Sequence, residues 1–154
     1  MRKRCVRKVY QLLNPIQHAI EGAAITPKHE LDRLRFRELA AIKAFSAGQA
    51  TEMEWHEMVA LMVIARNMAR AGIGPEVLPV CQEVNRHLVE AKDRFDRIGK
   101  MGLTGPGLQA IRDLYDYHDL QRQSVSRSEY ETAIEASIRK VKFGKPETLK
   151  ELEP

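Results

Sequence analysis

Between Val77 and Ile98 seven apolar residues, Val77, Cys81, Val84, Leu88, Ala91, Phe95 and Ile98, follow one another at spacings of 4, 3, 4, 3, 4 and 3. A helix turning about every 3.6 residues sets such a series along one side, whereas the two-residue alternation of a strand scatters it over both faces. The stretch is therefore expected to be one long helix with an unbroken seam over about three heptads. A seam of this kind serves either the interior of a bundle or a second copy of the chain, so a homodimer through these seven residues is one expected arrangement.

Helical spacing recurs along the rest of the chain. In "NPIQHAIEG", Asn14 can cap a short helix, Pro15 suits its first position and Gly22 ends it. Thr26 and Pro27 open a second helix that runs to about Ala47 before Gly48. Thr51 and Glu54 have the spacing of a capping box, and Trp55, Met58, Val59, Met62 and Val63 then share one broad face. Residues 58–65, "MVALMVIA", are apolar on all sides, which predicts a central helix surrounded by protein. After the long seam helix and the loop "GLTGPG", a helix from about Pro106 to Gln123 carries Leu108, Ile111, Tyr115 and His118 on one stripe. Ser126 and Glu129 start a last helix with Tyr130, Ala133, Ile134, Ser137, Ile138 and Val141 facing inward; Gly144 and Pro146 stop it. No convincing strand pattern occurs. The fold class expected is all-α: about six helices in a bundle with a basic N-terminal arm, divided as an arm at 1–13, a single helical domain at 14–144 and a tail at 145–154.

The net charge of +4 is unevenly placed. Arg2, Lys3, Arg4, Arg7 and Lys8 fall in the first eight residues; taking those five from the 25 basic residues leaves 20 against 21 acidic ones. The basic excess thus belongs to the arm, which is expected to contact a polyanion or a partner protein and to be dispensable for folding. The arm lacks the apolar stretch of about 7–15 residues that a secretory signal needs, and the longest apolar run is far short of the roughly 20 residues of a membrane span. Cys5 and Cys81 have no CxxC partner. These features predict a cytoplasmic chain with no membrane partner.

Enzyme chemistry finds no constellation. A carboxylate di-metal bundle uses Glu-x-x-His pairs, but the residues three before the histidines are Pro15, Thr26, Met53, Val84 and Tyr115. "WHEMVA" has Ala60 where a zinc helix of the HExxH type needs its second histidine. Glu83, His87 and Glu90 share one helix face and are expected to be a solvated polar surface. "GIGPEV" lacks the third glycine of a dinucleotide loop and follows a helix. His118, beside Asp116 and Asp119, sits on an apolar stripe and is expected to be a partly buried structural histidine. Trp55 and the methionines Met53, Met58, Met62 and Met68 are expected in the core. No catalytic residue, cofactor or metal ligand is expected.

Two turns invite a helix-turn-helix reading. Around Gly48, the positions that must pack are Glu54 and Glu57, so that register fails. In "LQRQSVSRSEYETAIEASIRK" Val125 can plug the turn, Ser126 caps, and Tyr130, Ala133 and Ile134 can pack. DNA contacts would then fall to Arg127, Ser128, Arg139, Lys140 and Lys142. Glu129, Glu131 and Glu135 on the same helix oppose phosphate binding.

The stretches "NPIQHAIEG", "NMARAGIG" and "LYDYHDLQRQSVSRSEYETAI" resemble small proteins carried on proteobacterial prophages and plasmids, some of which bear the label Fis-family transcriptional regulator. The resemblance implies a mobile-element origin. Two functions are expected from all of this: a non-enzymatic accessory protein that binds and modulates a host or phage protein, or a DNA-binding regulator that uses the arm and the last hairpin.

Overall fold

The computed structural model describes residues 28–143. Within them the chain forms five α-helices and no strand: α1 (Lys28–Ser46), α2 (Glu52–Arg70), α3 (Leu78–Ile98), α4 (Gly105–Ser124) and α5 (Arg127–Phe143), with a 3-10 turn at Pro75–Val77 before α3. The expected arm at 1–13, the helix at Asn14–Gly22 and the tail at 145–154 lie outside the described residues.

Local signals explain most helix ends. Thr51 accepts a hydrogen bond from the Met53 amide, and the Glu54 carboxylate accepts one from the Thr51 amide at 2.7 Å, so the capping box opens α2. Gly48 and Gly99 take the left-handed conformation just after α1 and α3. In "GLTGPG" the Thr104 side chain accepts from the Gly107 amide, so α4 begins at Gly105 inside the expected loop. Ser126 and Glu129 make their reciprocal capping bonds at the start of α5.

α2 is the central helix, packed against α1, α3, α4 and α5. Met58, Met62, Ala65 and Met68 are wholly buried on it, while Met53, expected in the core, stands exposed in its first turn. Trp55 is 7 % exposed and donates its indole N–H to the Leu88 carbonyl at 2.9 Å, which pins α2 to α3. Val77, Cys81, Val84, Leu88 and Ala91 are all buried in the main core, Phe95 is half-buried against it, and Ile98 is exposed. The seam is therefore spent inside the chain over most of its length. A second copy could reach those five side chains only by opening the core, which corrects the expected dimer seam.

α5 packs along α2 and not as a close hairpin on α4. Val125 and Tyr130 join Met68 in a second, smaller core that Leu34, Ile64, Ala133 and Ile134 border. The Asn67 side-chain amide donates to the Ser137 hydroxyl at 2.7 Å and holds the two helices together. Ile138, expected to face inward, is exposed, because no further helix among the described residues covers that side of α5.

Candidate functional site

Three places gather chemistry-bearing side chains. The first is a buried charge network that ties α1 to α4. Arg122 donates through Nη1 and Nη2 to both Glu38 oxygens at 2.9 and 2.8 Å, and through Nη2 to Asp119 at 3.1 Å. Asp119 also accepts a two-pronged contact from Arg35 at 2.8 and 2.9 Å and a bond from Gln123. Arg122 is fully buried and Glu38 nearly so, and the Tyr130 phenol lies against Arg122. Burial pushes the Glu38 carboxyl up, against the pull of Arg122. Burial also acts on Asp119, but Arg35 and Arg122 outweigh it and hold that carboxyl below its ordinary value. The bidentate geometry is that of a charge-assisted ion pair, so these groups have their charge directed at one another and fix α1 on α4.

His118 belongs to the same wall. It is fully buried, and its Nδ1 lies 3.0 Å from the Gln121 side-chain oxygen. Burial first, and then the nearby Arg122 charge, lower its pKa to about 4. Gln121 in turn donates to the carbonyls of Ala65 and Ile73 at 3.2 and 2.8 Å. Gly74 sits there at φ +63°, and a Cβ on it would meet the Gln121 Cγ at 3.3 Å. His118 is thus a structural histidine that orients the clamp on the α2–α3 loop. It is more deeply buried than its stripe predicted.

The second place is the face of α3 with Glu83, His87 and Glu90. His87 Nε2 lies 3.0 Å from a Glu83 oxygen, and Arg86 reaches Glu83 at 2.6 Å and Glu90 at 2.8 Å. Arg86 pairs with both carboxylates. His87 is buried, because Gly107 lets α4 approach its ring: a Cβ there would meet His87 Cγ at 3.2 Å. The solvated-face reading holds for the glutamates and fails for His87. Among the described residues no group of three or more His, Cys, Asp or Glu is placed to hold a metal ion.

The third place is the surface of α5. Of the expected DNA contacts, Arg127 pairs with Glu131 at 3.0 Å and with Glu30 at 3.4 Å. Ser128 is exposed, and its carbonyl accepts from Thr132. Arg139 is exposed, with Glu135 at 4.0 Å. Lys140 and Lys142 belong to the last turns of α5, with side chains outside those described. Arg2, Lys3, Arg4, Arg7 and Lys8 lie outside the described residues. What α5 does build, with α2, is an almost wholly apolar hollow of about 300 Å³ lined by Val59, Val63, Ile64, Ile134 and Ile138, with His56 at its rim. Sequence spacing marked Ile134 and Ile138 as apolar but assigned them to the interior.

No described helix is long and apolar enough to cross a membrane. Comparison with known protein families, curated proteins and solved structures finds no match for this chain.

Proposed function

We propose that this protein is a non-catalytic accessory protein of a phage or other mobile element, and that it binds a host or phage protein through the hollow between α2 and α5. The observation that carries this reading is the chemistry of that hollow. Val59, Val63, Ile64, Ile134 and Ile138 leave apolar surface open where a bundle would otherwise close over it, and such surface marks sites for partners. Its elongated lining by two helices suits the apolar stripe of a partner helix. Mobile-element origin rests on the resemblance of three stretches of the sequence.

DNA binding by the last hairpin has weaker support. Arg127 is engaged by Glu30 and Glu131, and Glu131 and Glu135 are exposed on the same helix, so phosphate neutralisation would fall mainly to Arg139, Lys140, Lys142 and the arm.

Affinity capture from nuclease-treated host lysate, with wild-type protein and Ile138→Asp side by side, tests the reading. The expected result is a protein partner retained after nuclease treatment and lost with Ile138→Asp. Capture that disappears with nuclease, or that ignores the substitution, contradicts it.

A further inference from the structure

Phe36, Leu39 and Leu120 are 77, 48 and 62 % exposed, and all three stand where α1 and α4 are tied to each other. Phe36 and Leu120 each follow one member of the Arg35–Asp119 ion pair, and Leu39 follows Glu38, which holds Arg122. On α1, Asp32, Phe36, Leu39 and Lys43 are exposed at steps of four, three and four, and so form one outer stripe. Leu39 lies one turn on from Arg35, so this stripe flanks the side of α1 that reaches α4. Asp113, Asp116 and Leu120, exposed at steps of three and four, form the neighbouring stripe on α4. The charges of the two stripes differ in sign. Arg33, beside Phe36 in an open hollow of α1, and Lys43 make no ion pair among the described residues, while Asp32 is held by Arg35. On α4, Asp113 and Asp116 make no ion pair among the described residues, and Arg112 donates to Ser46 of α1.

We infer that this outer α1–α4 face is the contact between two copies of the chain, related by a two-fold axis that runs between the two helices. In such a contact the same patch serves both copies. The axis sets α1 of each copy on α4 of the other, so Phe36 and Leu39 meet Leu120, and Arg33 and Lys43 meet Asp113 and Asp116, twice over. An axis through α1 alone, or through α4 alone, would set like charges together. Burial of the three apolar side chains supplies the attraction, and the opposite charges select this pairing over the alternatives. The buried seam of α3 takes no part. Neither α2 nor α5 contributes to the face, so the contact stands whether or not the α2/α5 hollow holds a partner.

Sedimentation of the full chain tests the inference. Wild-type protein is expected to be dimeric at about 100 μM, and Phe36→Asp or Leu120→Asp to weaken association at least about tenfold. A charge exchange supplies the signature of this two-fold arrangement. One variant carries Arg33→Glu with Lys43→Glu, so that both of its stripes are acidic; the other carries Asp113→Lys with Asp116→Lys, so that both are basic. All four side chains are exposed, and each variant is expected to melt within a few degrees of wild type. Each alone is expected to be a monomer, and mixing the two is expected to give a one-to-one heterodimer. Wild-type protein that stays monomeric leaves the face to a different partner and overturns the inference. So does a dimer that survives both aspartate substitutions or is lost instead with Ile138→Asp, and so do two folded charge variants that remain monomers when mixed.

Discussion

Leu88 is wholly buried at the middle of the seam, where its carbonyl also receives the Trp55 indole. Leu88→Ala is expected to cost about 2–5 kcal/mol in a denaturant melt, by lost burial and a residual cavity. A harsher asymmetry is expected at the α1–α4 ion pair. Glu38→Ala leaves the fully buried Arg122 guanidinium short of its bidentate partner and should cost about 3–5 kcal/mol, while Glu38→Leu with Arg122→Met should cost clearly less than the sum of the singles. His118 supplies a pH signature. Its folded pKa of about 4 lies below its ordinary 6.5, so the unfolded chain takes up the proton first as pH falls. The stability it contributes is fully present above about 6.5 and is lost as pH drops toward 4, by about 3 kcal/mol. Between those two pH values wild type should lose about 3 kcal/mol more stability than His118→Gln. The seam was legible because periodicity reports a helix face directly. Arg122 was not, since its carboxylate partner stands 84 residues away. A partial signal was present: Arg122 follows Ile111, Tyr115 and His118 at steps of four, three and four, which puts an arginine on a buried stripe.

Helix identity was readable element by element, because caps and glycines act locally. Thr51, Gly48, Gly99 and the Ser126–Glu129 pair all mark ends that the structure shows. Removing one such device has a modest price: Thr51→Ala should destabilise by about 1 kcal/mol in the same melt, without changing the helix content of the folded state. Neighbour choice was less readable. Periodicity told which face of α5 is apolar, yet whether Ile138 meets protein or solvent depends on what lies across it, a long-range property. The closeness of α3 and α4 likewise depends on Gly107, whose missing Cβ admits the His87 ring. In the sequence it reads as one more glycine of a loop.

At the scale of the molecule, α2 holds the other four described helices around itself, and its apolar run announced that position. The charge distribution sets a further expectation: deleting residues 2–8 should leave the melting temperature nearly unchanged, because the basic excess is not needed for the core just described. The α2/α5 hollow, the proposed partner surface, could not be foreseen, since an open apolar hollow differs from a filled core only in what is absent beside it. If Val63 and Ile138 bind a protein by burial, affinity for that partner has little to do with counterions. The decisive measurement is therefore the affinity for the captured partner as a function of salt. Between about 50 and 200 mM salt it should change by less than about threefold and should fall at least about tenfold with Ile138→Asp; a loss of about a thousandfold over that range, with Ile138→Asp neutral, would show a phosphate-binding protein instead.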